Sequence, residues 1–208
     1  MTGNLFIASS NEGKLAEFIA LARSATPEAP PFELALLSNL STFPAFDESA
    51  PTFAENAAGK ALHYSRLAQC RILADDSGLV VPALGGAPGV KSARYAGANA
   101  TSAQRNEKLL DAMRNLTGEE RRAYFVCVLA VAEKGQPIAI ISARVDGEIT
   151  TTSSGAAGFG YDPIFYISEL HKTFAKLTSE EKNKISHRGK AFRRLLEVLA
   201  ATSRLPRA

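Results

Sequence analysis

The 208-residue chain reads as an α/β protein with a mixed, curved sheet and flanking helices. Short apolar runs of strand length alternate with stretches whose apolar residues recur at helical spacing. Two longer runs, 122–133 and 137–149, flank the turn KGQ and read as an antiparallel pair, so the sheet is mixed. A content of 46% hydrophobic and 22% charged residues matches a chain that folds around a sizeable core.

Taken in order, NLFIAS (4–9) is a buried strand. Asn11 can cap the helix that follows, where Leu15, Phe18, Ile19 and Ala22 share one face. TPEAPP (26–31) stops that helix. FELALL (32–37) is a second strand, and 38–51 is a loop rich in Asn, Ser, Pro, Asp and Glu. Thr52 opens a helix to about Gln69, with Glu55 placed for a capping box. RILA (71–74) is a short strand that ends on DDSG. Residues 81–97, dense in Gly and Pro, are partly loop, and 102–115 are a helix. TSSGAAGFGYDP (152–163) is a glycine-rich loop. Helices follow at 178–184 and 188–203, the second capped by Ser186. No repeat, low-complexity block or linker divides the chain, which reads as one domain over 1–208.

Composition narrows the function classes. Cys70 and Cys127 have no CxxC neighbour, so neither zinc nor a disulfide framework is indicated, and Cys127 reads as core. No apolar run approaches a membrane span, and the first residues lack a charged region ahead of an apolar one. A reducing, cytoplasmic setting is expected. The net charge of +3 comes without an aromatic-basic motif, which argues against nucleic acid.

Five clusters could carry chemistry. SSNEGK (9–14) joins a strand to a helix; exposed N–H groups and the helix dipole attract phosphate there, and Lys14 reaches the same anion. The spacing of a Walker A loop is absent. In DDSG (75–78), Asp75 and Asp76 repel each other unless a cation such as a hard divalent ion offsets them. A strand sends their side chains to opposite faces, so one could hold a metal while the other is structural. Asp47, Glu48 and Glu55 are further carboxylates, Glu55 better explained as a cap, and Lys60 lies on the same helix. In GFGYDP (158–163) glycines let the backbone approach a ligand, Phe159 can stack on a nucleobase, and Asp162 can accept a hydrogen bond. In EKNKISHRGKA (181–191), Lys182, His187 and Arg188 could meet phosphate or a base edge.

These motifs, in this order, resemble the inosine triphosphate pyrophosphatase family, and within it the bacterial dITP/XTP pyrophosphatases. The match runs from ASSNEGK through FAENAAGKA (53–61), LADDSGLVVPALGGAPGVKSARYAG (73–97) and GFGYDPIF (158–165) to SHRGKA (186–191). The resemblance implies two lobes around a deep nucleotide-binding cleft, a homodimer, Mg²⁺ as cofactor, and hydrolysis of ITP, dITP and XTP to the monophosphate and pyrophosphate. Carried over by position, Ser9, Ser10, Asn11, Glu12, Gly13 and Lys14 would hold phosphates, with Lys60 and Lys182. Asp76 would be general base and metal ligand, and Ser77 would touch substrate. Asp47 or Glu48 would complete the metal site. Phe159, Gly160, Tyr161 and Asp162, with His187 and Arg188, would form the base pocket. Ser9 stands where the family often has Thr, and Asp47 where it often has Glu.

Base selection follows from the edge presented. Hypoxanthine and xanthine carry a 6-keto oxygen and a protonated N1. Arg188 or backbone N–H groups can donate to the first, and Asp162 or a backbone carbonyl can accept from the second, whereas adenine would leave those groups unpaired. Two rival readings are a related pyrophosphatase acting on modified pyrimidine triphosphates and a non-catalytic nucleotide sensor.

Overall fold

The computed structural model describes residues 3–9, 12–25 and 32–202. Ser10, the Asn11 cap and the TPEAPP stop lie outside the described residues. The elements are β1 (Gly3–Ile7), α1 (Glu12–Ala25), β2 (Phe32–Leu36), α2 (Phe53–Ala68), β3 (Arg71–Val80), α3 (Ser102–Ala112), β4 (Arg122–Glu133), β5 (Gln136–Ile149), β6 (Phe165–Ile167), β7 (Lys172–Thr173), α4 (Ser179–Ile185) and α5 (His187–Thr202). The strands form one open mixed sheet in the order β2-β1-β3-β4-β5-β6-β7. β1 runs parallel to β2 and β3, and β6 antiparallel to β5 and β7. No helix among the described residues is long and apolar enough to cross a membrane.

Two compact units share this chain. The first takes residues up to Asp76, Cys127–Ala143 and the chain from Arg188; the second takes Ser77–Val126 and Arg144–His187.

In the first unit the sheet is covered on both faces, which is why its strands read as continuous apolar runs. Side chains alternate between faces along a strand. Leu5, Ile7, Leu73, Cys127, Leu129 and Val131 pack with Phe18 and Leu21 of α1 and with Phe192 and Leu195 of α5. The intervening Ala8, Ile72, Ala74, Val128, Ala130 and Ala132 pack with Ala57, Ala61 and Tyr64 of α2. Cys127 is fully buried, as an apolar neighbourhood requires. α2 begins at Thr52, whose hydroxyl oxygen accepts from Glu55 N at 3.2 Å. The Glu55 carboxylate turns back to that hydroxyl, 2.7 Å away, so Glu55 serves the helix start.

The second unit has its own core, in which Leu79 of β3 and the following Val81 cluster with Leu109 of α3 and the following Met113, and Phe125 stacks on Phe174 while Phe165 meets both rings at an angle. Arg121, although buried, is satisfied by the carbonyls of Met113, Leu116, Ile149 and Thr150, as a desolvated guanidinium requires.

Two expectations change. The strand that opens with RILA does not end on DDSG but continues through it to Val80. The turn between β4 and β5 is the dipeptide Lys134-Gly135, with Gln136 already in the strand. Both turn residues have positive φ, 50° and 77°, the pattern of a tight two-residue hairpin. A Cβ at Gly135 would sit 2.5 Å from Arg66 Cγ. Gly135→Ala should therefore lower stability by about 1–2 kcal/mol, a few degrees in Tm by calorimetry.

Candidate active site

The strand order β2-β1-β3 makes the chain cross from one side of β1 to the other, and ligands of open α/β sheets gather where that reversal leaves the carboxyl ends of strands uncovered. The pairing of β1 with β3 ends at Ile7 and Leu73. Beyond it come Ser9 on one strand's continuation and Asp75-Asp76 on the other.

Alternation along β3 gives these two carboxylates opposite surroundings. Asp75 follows Leu73 by two and faces α1 and α5. It is 3% exposed, and its two oxygens accept from Lys14 Nζ at 2.8 and 3.0 Å. Arg188 Nη2 lies 3.7 Å from the same carboxylate, and Arg188 Nη1 donates to Glu17 at 2.7 Å. Burial works to raise the Asp75 carboxyl, but Lys14 and Arg188 outweigh it and hold the group at about 2. Burial likewise disfavours the charged Arg188, and Glu17 with Asp75 reverses that, so its pKa rises on balance.

Asp76 follows Ala74 and faces α2. Its Oδ2 accepts from Asn56 Nδ2 at 2.9 Å. Asn56 is itself locked to the preceding loop, with Oδ1 accepting from Ala50 N at 3.0 Å. One turn further along α2, Lys60 meets Glu48 at 2.5 Å. Burial, and then the charges of Glu48 and Asp75, push the Asp76 carboxyl up to about 6, against the Asn56 hydrogen bond and the charge of Lys60. Asp47 is exposed and accepts from the Ser49 hydroxyl at 2.6 Å. Of the two acids left open in FDESA, Glu48 is the one whose charge bears on Asp76.

These donors suit a small divalent cation. The like charges that raise Asp76 are the ones a cation would relieve. Among the described residues no three His, Cys, Asp or Glu side chains form a metal-holding group.

The second unit carries the glycine-rich loop. Asp162 is buried, and its Oδ2 accepts from Phe159 N at 2.8 Å and from Lys182 Nζ at 2.5 Å. The Lys182 ammonium sits 4.7 Å from the Phe159 ring centroid and 5.5 Å from that of Phe174. Phe159 is 58% exposed, an apolar ring presented to solvent beside a cation. Gly158 has φ 76°, and a Cβ there would come within 2.1 Å of Asp162 Oδ2, so the loop closes this tightly only with glycine. Tyr161 turns away from the loop surface into the core, its hydroxyl donating to Ser92 O at 2.9 Å. His187 stacks on Phe125 at 4.8 Å. On β3, Ser77 Oγ is buried without a hydrogen-bond partner among the described residues.

The structure thus gathers Lys14, Asp75 and Arg188 on one face of β3, and Asp76, Glu48 and Lys60 on the other. Arg188 and Lys14, far apart in sequence, both approach Asp75, because the first turns of α1 and α5 meet there. The Tyr161 side chain is buried in the core. Glu12 is exposed, and Gly13 lies in the first turn of α1. Glu17 carries a helical signal left unread in the sequence, three residues after Lys14, and Asn56 lies four residues before Lys60, near whose face helix geometry puts it.

The chain is similar to known proteins over nearly its whole length. The model of the Ham1 family matches residues 5–198. The dITP/XTP pyrophosphatase of Geobacillus kaustophilus is 47% identical over 93% of this chain and 92% of its own. A solved HAM1 protein structure from Coxiella burnetii superposes with a TM-score of 0.85 at 41% identity, covering 96% of this chain and all of that one. The Ham1 protein of Staphylococcus aureus superposes with a TM-score of 0.84 at 38% identity, covering 96% and 99%.

The two adjacent aspartates should answer to substitution with opposite signs. Asp75, held at about 2, contributes stability that is present above the unfolded value near 4 and is lost as pH falls through 2. Asp76, raised to about 6, penalises the folded state once pH exceeds 6, and the penalty disappears as pH falls to 4. In EDTA at pH 7.5, Asp75→Asn should cost about 2 kcal/mol or more, and Asp76→Asn should gain about 1 kcal/mol. Thermal melts from pH 4 to 8 check both signs.

Proposed function

Because the chain belongs to the Ham1 family, we propose that it hydrolyses non-standard purine nucleoside triphosphates, such as ITP, dITP and XTP, to the monophosphate and pyrophosphate. The observation that carries this reading is Asp76, a half-buried carboxyl raised to about 6 beside Glu48 and fixed by Asn56. A group with that pKa accepts a proton near neutral pH while still protonating rarely enough to stay available. An ordinary surface aspartate is a far weaker base.

In this mechanism Asp76 orients the attacking water and takes its proton. Glu48 and Asp76 would hold a divalent ion, Mg²⁺ in our proposal; metal dependence goes with the family. When bound, the ion would offset triphosphate charge and acidify water. Lys14 and Lys60, each resting on a carboxylate, would exchange that partner for phosphate oxygens. Phe159 offers its exposed face to the purine, with Lys182 beside it. Ser77 supplies a hydroxyl that has no partner among the described residues. Arg188 stays the proposed donor to the 6-keto oxygen through a guanidinium that Glu17 orients. The working unit we propose is a homodimer, which light scattering checks.

Pyrophosphate release from ITP, XTP, dITP, GTP, ATP and a modified pyrimidine triphosphate tests the activity. The first three should be turned over well ahead of the rest; equal turnover of all, or none, would refute the proposal. Asp76→Asn should lower kcat by about 10²–10⁴-fold while the protein stays folded by circular dichroism. Activity should need Mg²⁺ and fail with Ca²⁺, whose larger shell polarises water less. Phe159→Ala should raise KM by about tenfold or more for every purine, because stacking is worth roughly 1–3 kcal/mol and every base has a π-face.

A further inference from the structure

Past the end of its pairing with β1, the free edge of β3 is covered by the segment that follows it. Val80 bridges Pro88, and Val81 N donates to Ala87 O at 3.1 Å. The clamp is completed by Ser92. Its hydroxyl oxygen accepts from Leu79 N at 2.9 Å and donates to Gly89 O at 2.6 Å. Its carbonyl accepts the Tyr161 hydroxyl at 2.9 Å. Ser92 and Tyr161 are both buried, so these bonds do not compete with water.

Each end of this chain of bonds lies two residues from a group in the proposed site. Leu79 is two residues after Ser77 on the same face of β3, and Tyr161 is two residues after Phe159. The loop between is closed by Asp162, which grips Phe159 N and Lys182. We infer that Ser92 and Tyr161 are positioning residues, a buried brace that sets the Phe159 platform at a fixed place relative to Ser77 of β3. This inference rests on the proposed hydrolase reading and names residues through which its purine platform is held. It also gives Ser92, in the SARY stretch, a task that needs no contact with nucleotide.

Tyr161→Phe tests it, because the ring keeps its packing while the buried Ser92 carbonyl loses its donor. Ser92→Ala removes the hydroxyl end of the same brace. Each should raise KM for ITP by about threefold to tenfold, the value of one buried hydrogen bond, and leave kcat at saturation within about twofold. The Mg²⁺ concentration for half-maximal rate should stay unchanged. The double variant should cost less than the product of the two single effects, since both break one linkage. IMP affinity by calorimetry should fall in parallel with KM. A lower Tm with unchanged KM and unchanged IMP affinity would overturn the brace and leave Tyr161 a core residue only. Failure of the wild-type protein to release pyrophosphate from ITP would instead overturn the hydrolase reading, and the IMP titrations would then decide the brace alone.

Discussion

Much of this molecule depends on one constraint, that two adjacent carboxylates on a strand covered on both faces must find charge partners on opposite sides of the sheet. Leaving either one bare in an apolar interior would cost several kcal/mol. Asp75 resolves this with two cations, Lys14 from α1 and Arg188 from α5, and those helices are thereby brought to their first turns at the same point. Asp76 is given the Asn56 amide and the charge of Lys60, which burial and two like charges outweigh. Asp75 is neutralised within the fold, whereas Asp76 keeps like charges near it.

That asymmetry links stability to function. The Asp75 network knits α1, β3 and α5 together and belongs to what holds the first unit. The raised Asp76 carboxyl is the kind of charge that a cation would relieve. Lys60 and Glu48 sit in the same balance: each neutralises the other at rest, and phosphate or a divalent ion would substitute for either partner without leaving a buried charge alone.

The second unit solves a different problem, the display of an aromatic ring in water. Phe159 is exposed on a backbone pinned by Asp162, by glycine at 158 and by Tyr161 anchored in the core. A stacking platform on a loose loop would lose in ordering entropy much of what it gains from a base. Lys182 adds a cation beside the ring and is itself neutralised by Asp162, so no charge is left uncompensated.

The elements were legible in the sequence because periodicity and caps are local. The helices of 52–69 and 102–115, the β4–β5 hairpin and the burial of Cys127 follow from spacing, turn chemistry and apolar runs. So does the opposite facing of Asp75 and Asp76, since a strand's period of two is a property of the backbone. The sequence also presented the motifs whose order resembles a known family. What it could not contain is which partner each charge meets. Asp47 and Glu48 are neighbours of equal chemistry, and only the course of the loop turns Glu48 toward Lys60 and leaves Asp47 with Ser49. Arg188 meets Glu17 across 171 positions, and nothing in the basic stretch 181–191 points to that pairing. DDSG resembles a turn because its residues favour one, yet sheet pairing carried the strand on to Val80. Local geometry is set by neighbours in the chain, whereas charge pairing and desolvation are set by neighbours in space, and only the folded structure decides those.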